Sequence, residues 1–559
     1  MSDSLLCDRL LRPQNNSVTV LAGTHGPEAT TTVSELRASA ISLAQQLKTL
    51  GIGCSDRVAL VMPTSPASIV AILASWHARA AFSMLPWAVG NGSSKIAIQK
   101  LYQALDALQP KAILVARSSA NIIDPSRFPS ARILSVDFPD HRFSELADAA
   151  NSKPDDLAFI QFTSGSTGAA ANGVIVRHAQ LADNIVGIGE KIQIQQADVM
   201  VSWAPLHHDM GLVALLLSLY YGLSLVLIPT ESFGRRPAVW LEAIDRFSGT
   251  LSPAPPFAFQ LLARRPALRN GSLDLSSWRY AWVGAEPIFP SQLSAFEDVY
   301  RQAGLRENVL QGTYGLAEAV VVVSNGQAGQ PRLNLTIDGA LLRETGRVAL
   351  CERSRPGAVE VVGCGTPNRN TEVRIADEAG NAAGEGVRGR ILIRGPSVTE
   401  GYFGRLELRA ADEWLDTGDL GFLFEGQIFV IGRTKDLVKR AGVGVAPHEI
   451  EWVVEQTLGL KTGRAAAFSY LNAEHSREEI VVLVEDRASR QHDNQLVRHV
   501  VSAVAQNVGV QIDALRFVGL NTIPRTSSGK LRRNEARELF LAGKYDNTEA
   551  LSVAFIQAD

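Results

Sequence analysis

The stretch Thr163-Ser164-Gly165-Ser166-Thr167-Gly168 follows directly on the apolar run Leu157-Ala158-Phe159-Ile160-Gln161-Phe162. A short apolar run that stops at a Ser/Thr/Gly cluster reads as a buried strand feeding a flexible loop. Hydroxyls and glycine N–H groups at this density make a cradle for phosphate oxygens, and glycine lets the backbone come close to the anion. A surface Ser/Gly linker has the same composition, so the loop by itself leaves both readings open. No Gly-Lys-Ser/Thr closes it, which separates it from the P-loop of nucleoside triphosphatases.

Further along stand Gly284-Ala285-Glu286-Pro287, Tyr314-Gly315-Leu316-Ala317-Glu318, Thr417-Gly418-Asp419, Gly432-Arg433-Thr434-Lys435-Asp436 and Pro524-Arg525-Thr526-Ser527-Ser528-Gly529-Lys530. In this order the set resembles the adenylate-forming superfamily of acyl-CoA synthetases, nonribosomal adenylation domains and luciferases. The resemblance covers nearly the whole chain. It implies attack of a carboxylate on the α-phosphate of ATP, giving an acyl-adenylate and pyrophosphate. A carboxylate is already ionised at neutral pH, so the reaction calls for orientation and charge stabilisation and needs no general base.

The resemblance also implies roles. Thr163, Ser164, Gly165, Ser166, Thr167 and Gly168 would cradle the phosphates. Glu318 would hold Mg²⁺, a hard carboxylate for a hard cation. Tyr314 would stack on adenine, next to Gly315, and Gly284, Ala285 and Glu286 would line its other side. Asp419 would accept from both ribose hydroxyls, with Arg433 in support. Lys530 would enter the site as the catalytic lysine and bridge the carboxylate and α-phosphate. The family loop usually continues Pro-Lys-Gly; here Ala171-Asn172-Gly173 stands in its place. Asn172 therefore implies weaker charge neutralisation on the pyrophosphate side.

Within the superfamily, Trp203-Ala-Pro-Leu-His207-His208-Asp209-Met210-Gly211 resembles the pattern of fatty acyl-AMP ligases, with His208 as a substrate gate. The long segment from Glu318 to Gly363, which contains residues 333–345, fits that branch too. There it implies an insertion that hinders rotation of the C-terminal domain and disfavours coenzyme A. The implied acceptor is the phosphopantetheine thiol of an acyl carrier protein supplied in trans. Val445-Ala446-Pro447 and its neighbours read more like coenzyme A ligases, which keeps an acyl-CoA ligase as the rival. Asn172 alone supports a catalytically impaired nucleotide-binding protein.

The composition agrees with an enzyme of this kind. The 559 residues are 46% hydrophobic and 20% charged, with net charge −3. That is a soluble globular balance with no polyanion-binding surface, which argues against a nucleic-acid partner. Cys7, Cys54, Cys351 and Cys364 are widely spaced and read as reduced cytoplasmic thiols, not a disulfide framework. The N-terminus has no basic start or sustained apolar stretch, so no secretory signal is expected. The apolar run 212–228 is short for a membrane span. It reads as a helix to Tyr221, a break at Gly222 and a strand closed by Pro229.

The expected fold is α/β. Thr32 and Glu35 spell a capping box before Leu36, Ala40, Leu43 and Leu47 at helical spacing. Alternating short strands and helices predict parallel sheets, including strands at 157–162, 174–176, 225–228 and 280–283. From about Val373 short strands between Gly and charged turns predict a smaller β-rich unit. The expected organisation is a large N-terminal adenylate-forming domain at 1–435, its β-rich subdomain at about 362–435. A small mobile α+β C-terminal domain follows at 436–559, with a hinge at Asp436.

Overall fold

The computed structural model describes residues 14–24, 26–86, 95–117, 122–138, 152–163, 172–264, 273–405, 408–440, 443–472, 477–486, 494–525, 530–545 and 551–552. The fold is mixed α/β. A six-stranded sheet runs in the order Arg132–Val136, Ala112–Ala116, Arg57–Val61, Ala81–Met84, Leu157–Thr163 and Asn172–Arg177. The first five strands are parallel. Asn172–Arg177, expected in the parallel set, instead pairs antiparallel with Leu157–Thr163. Too few residues separate the two strands for a crossover, which takes a dozen or more. Asn172 is thus not a loop residue but the first residue of a strand, opposite Thr163.

A nine-stranded sheet holds, from one edge, Thr366–Pro367, Ser324–Asn325, Leu310–Tyr314, Tyr280–Val283, Leu251–Ala254, Val199–Ser202, Ser224–Leu227, Ser17–Val20 and Ala29–Thr32. Its two faces bury different cores. Along Tyr280–Val283, Tyr280 and Trp282 face one cluster with Leu212 and Leu216. Ala281 and Val283 face the other, with Trp240, Phe259 and Phe296. This is the two-residue period of a strand covered on both sides.

The helices start and stop where local chemistry directs. Thr32 and Glu35 form both bonds of the capping box at the head of Val33–Thr49. The apolar run 212–228 divides as expected into the helix Asp209–Tyr221, Gly222 at φ +68°, and the strand Ser224–Leu227. Among the described residues no helix is long and apolar enough to cross a membrane.

An antiparallel four-stranded sheet follows, Glu372–Ala376, Gly389–Arg394, Leu415–Phe424 and Gln427–Arg433. Before it, the strands Asn334–Asp338 and Ala358–Val362 pair with the short helix Gly339–Thr345 between them. The last part of the chain builds a sheet of Ala465–Asn472, Arg477–Glu485, Ala514–Val518 and Leu551–Ser552. The helices Pro447–Thr457 and Asn494–Val508 pack on it through Ile450, Val454, Val497, Val500 and Val504.

One buried cluster fixes three parallel strands at their amino ends. Asp198, Thr250 and Arg279 each immediately precede a strand of the nine-stranded sheet. Asp198 Oδ1 accepts from Arg279 Nε at 2.7 Å and from Thr250 Oγ1 at 2.7 Å; its Oδ2 accepts from the Gln195 N–H at 2.8 Å and from Arg279 Nη2. Burial raises the Asp198 pKa, but Arg279 and the other donors outweigh it and hold the carboxyl below its ordinary value. A depressed carboxylate stabilises the fold above its unfolded pKa and loses that contribution as pH falls through the folded one. Asp198→Ala should cost about 3 kcal/mol, because the half-buried Arg279 would keep the Ile192 and Gln193 carbonyls but lose its only ion-pair partner among the described residues. The check is the urea midpoint at neutral pH; a loss below about 1 kcal/mol would show that the cluster does not hold the strands.

Candidate active site

In open α/β sheets, ligands bind beyond the carboxyl ends of the strands. Here the strand Val199–Ser202 runs into Trp203–His208, and Tyr280–Val283 runs into Gly284, Ala285 and Glu286. Leu310–Tyr314 ends on Tyr314 and continues through Gly315 to a turn, Ala317–Ala319, that carries Glu318. The three stretches singled out in the sequence therefore share one rim. The rim is tightly built. A Cβ on Gly284 would lie 2.5 Å from the Thr313 carbonyl oxygen, and one on Gly315 would overlap the Val321 carbonyl oxygen. Ala285, at φ +70°, holds a left-handed conformation that costs a non-glycine residue about 1–2 kcal/mol.

Asp419 sits at the boundary between this rim and the four-stranded sheet, 4% exposed. Its Oδ2 accepts from the Tyr314 hydroxyl at 2.7 Å and its Oδ1 from Arg433 Nε at 2.9 Å. Asp419 and Arg433 are cross-strand partners in register. Burial pushes the Asp419 pKa up, and Arg433 and Tyr314 pull it back. Burial and the neighbouring Asp419 carboxylate drive the Tyr314 phenol well above its ordinary value, so it stays a hydrogen-bond donor. The Tyr314 ring also packs with Leu316, Val323 and Ile428. Tyr314 is thus both core wall and positioning group for the carboxylate.

His208 caps the helix Asp209–Tyr221, and its Nδ1 lies 2.6 Å from Asp209 Oδ1. Burial would raise the Asp209 pKa, yet the charges of His208 and Lys530 hold it below the usual carboxylate value. Lys530 acts on Glu286 as well. Burial raises that carboxyl, and Lys530, Arg533 and His208 draw it down. Lys530 therefore lies within electrostatic reach of both Asp209 and Glu286, although more than 240 residues separate it from either in the chain. Burial lowers His207 to about 4, which keeps it neutral at pH 7. Its carbonyl accepts from Gln161 Nε2 at 2.8 Å, tying this rim to Leu157–Thr163, the strand that leads into the Ser/Thr/Gly loop singled out in the sequence.

Of that loop, Thr163 is described; its Oγ1 lies 3.5 Å from the Asn172 carbonyl. Ser164, Gly165, Ser166, Thr167 and Gly168 lie outside the described residues. Beside it runs a segment that the sequence reading passed over. The Ile175 N–H donates to the Gly401 carbonyl at 3.2 Å and the Phe403 N–H to Gly173 at 2.7 Å. Arg177 grips Glu400 through Nη2 at 2.5 Å and Nε at 3.0 Å. The Thr399 N–H donates to the Glu318 carbonyl at 2.7 Å. Tyr402 is thereby aimed at Glu318, and its hydroxyl donates to Glu318 Oε1 at 2.7 Å. No pattern in the sequence marks Gly401-Tyr402 as part of the site.

The C-terminal part contacts the rest of the chain through side chains from several elements. Phe289 stacks on Trp452 at 4.6 Å between ring centroids, with planes 12° apart. Arg343, from the helix Gly339–Thr345, pairs with Glu449 at 3.1 Å. Arg264 Nη1 donates to the Leu460 carbonyl at 2.7 Å. A cavity of about 60 Å³ lies where these pieces meet, lined among others by Phe289, Leu342, Arg343, Leu437, His448 and Glu449.

The sequence profile of the family described as AMP-binding enzyme matches residues 12–403. A Caulobacter vibrioides protein named as an acyl-CoA synthetase is 32% identical over 92% of this chain and 90% of its own length. JamA of Moorena producens, a medium-chain-fatty-acid–[acyl-carrier-protein] ligase, is 33% identical over 71% of this chain and 70% of its own. A solved structure from a study of fatty acyl-adenylate ligases of E. coli and L. pneumophila superposes with a TM-score of 0.87 at 31% identity, covering 97% of this chain and 98% of that one. The chain belongs to the AMP-binding enzyme family of adenylate-forming, acyl-activating ligases.

Proposed function

We propose that the protein is an acyl-AMP ligase that activates a carboxylic acid, of fatty acid type, with ATP and passes the acyl group to an acyl carrier protein. The observation that carries the adenylation half is the convergence of Lys530, His208, Asp209 and Glu286. A substrate carboxylate oxygen attacks the α-phosphorus while the bond to pyrophosphate breaks and its electron pair leaves with that group. Lys530 contributes a compact positive charge where negative charge gathers on the reacting oxygens. Asp419, kept in place by Tyr314 and Arg433, offers remaining lone pairs to ribose hydroxyls. Thr163 and the loop that follows it take the phosphates.

Glu318 fits a magnesium ion. One of its oxygens accepts from Tyr402 and the other is outside that bond. Magnesium is commonly held by one or two carboxylates together with substrate phosphates. Bound there, the ion would supply positive charge to the phosphate oxygens.

The carrier-protein half rests on the segment 334–362 and on the relatives. Its helix Gly339–Thr345 reaches the C-terminal part through the Arg343–Glu449 pair. Such a tether would restrict the reorientation that opens a path for the long nucleotide end of coenzyme A, leaving a carrier-borne phosphopantetheine as the acceptor. JamA, a named carrier-protein ligase, supports that choice. The Caulobacter relative and the stretch Val445-Ala446-Pro447 favour the rival acyl-CoA ligase.

Lys530→Ala should lower kcat for acid-dependent ATP–pyrophosphate exchange by about 10²–10³ while the circular dichroism spectrum is unchanged. Exchange at the parent rate would remove Lys530 from the reaction.

With ATP, magnesium and a fatty acid, the enzyme should acylate a holo-acyl carrier protein at least about tenfold faster than coenzyme A, a difference of about 1.4 kcal/mol. Arg343→Ala should narrow that ratio by raising acyl-CoA formation. Efficient acyl-CoA synthesis by the parent enzyme would decide for the rival.

A further inference from the structure

The sequence lacks the usual cation in its phosphate loop, with Asn172 at that position. The structure places another cation there. Arg405 Nη2 donates to Asn172 Oδ1 at 2.6 Å. The Arg405 guanidinium also lies over the Tyr402 ring, 4.8 Å from its centroid. Tyr402 in turn donates to Glu318. Asn172, Arg405, Tyr402 and Glu318 thus form one continuous row, which starts opposite Thr163 at the mouth of the phosphate loop.

The row is rigidly held. The Phe403 N–H donates to the Gly173 carbonyl, and the Arg405 N–H closes a turn on the Tyr402 carbonyl at 3.1 Å. Among the described residues no carboxylate forms an ion pair with Arg405, which is exposed. Its positive charge is therefore available to a ligand. A guanidinium is always charged at neutral pH and presents a planar fork of donors that matches phosphate oxygens. One of those donors is spent on Asn172, which orients the group without neutralising it.

We infer that Arg405 is the phosphate-binding cation that this chain uses in place of a loop lysine, taking the terminal phosphates of ATP and the departing pyrophosphate. This rests on the adenylation reading above and deepens it. When the bond between the α-phosphorus and the bridging oxygen breaks, the electron pair goes to pyrophosphate, and Arg405 meets that charge. The cation comes from the turn after Gly401-Tyr402 and not from position 172, but its charge is held beside Asn172. A lysine introduced at 172 in the parent would stand beside Arg405 and repel it. The same lysine in a chain lacking Arg405 would fill the vacated place.

The test compares ATP with AMP, which has no terminal phosphates, by isothermal titration calorimetry with magnesium present. The full-length parent, Arg405→Ala and the double variant Arg405→Ala/Asn172→Lys are measured. Arg405→Ala should weaken ATP about tenfold, the size expected for one charged hydrogen bond, and leave AMP within about twofold. The double variant should recover at least half of the lost ATP affinity. In pyrophosphate exchange, Arg405→Ala should raise the KM for ATP and for pyrophosphate more than the KM for the acid. Unchanged ATP affinity in Arg405→Ala, an equal loss for ATP and AMP, or no recovery in the double variant would each overturn the assignment. A parent chain that binds neither nucleotide would instead overturn the adenylation reading, and is distinguished by failing before any substitution is made.

Discussion

A carboxylate with almost no access to water has to be given donors, and Asp419 obtains them from two different parts of the chain. Tyr314 comes from the end of a parallel strand in the nine-stranded sheet, and Arg433 from the last strand of the antiparallel one. Losing either leaves a buried charge short of a partner, which is costly in a low-dielectric setting. The two sheets are therefore held in one relative placement by an electrostatic requirement as well as by their shared apolar core. Arg433 stands three residues before Asp436, so the requirement also fixes where the chain leaves the second sheet for its C-terminal part. The rim that carries Glu286 and Glu318, with Lys530 within electrostatic reach of Glu286, is assembled around that fixed corner.

Opposite the rim, the Asp198–Thr250–Arg279 cluster does for the strand starts what Asp419 does for the strand ends. Each is a carboxylate shared by groups distant in sequence. The cluster ties together the starts of Val199–Ser202, Leu251–Ala254 and Tyr280–Val283, and Asp419 ties the end of the neighbouring strand Leu310–Tyr314 to the antiparallel sheet. Among the described residues the C-terminal part is attached differently, through aromatic contacts, the ion pairs Arg343–Glu449 and Lys100–Glu535 and a few hydrogen bonds. Contacts of that kind are weak enough to exchange, in contrast with the continuous apolar cores on the two faces of the large sheet.

Much of this was legible in the sequence. The capping box at Thr32 and Glu35, the helix broken at Gly222 and the α/β class all follow from local rules that tertiary contacts did not override. The parallel placement of residues 174–176 failed, because apolar alternation gives the presence of a strand and not its direction. The length of the preceding loop would have given it. At the site, Tyr314, Asp419 and Arg433, which the sequence singled out in three separate stretches, lie in contact with one another. Tyr402 and Arg405 were not legible. Their neighbours at Asn172 and Glu318 lie far off in the chain, and an arginine after a glycine in a polar turn has no pattern that separates it from a solvated surface charge. Asn172 was visible as a departure, but its compensation lay more than 230 residues away and required the fold to be seen.

The close approaches at Gly284 and Gly315 bear on how this protein can change over evolutionary time. Any side chain at either position would drive into the backbone carbonyl of Thr313 or Val321, and neither carbonyl can withdraw without unpicking a strand or the turn that carries Glu318. Both positions are closed to mutation whatever acid the enzyme accepts. Variation in substrate preference has to be drawn from side chains on the helices and loops around them. A lineage can thus drift widely in acyl specificity while these few letters of the sequence stand still.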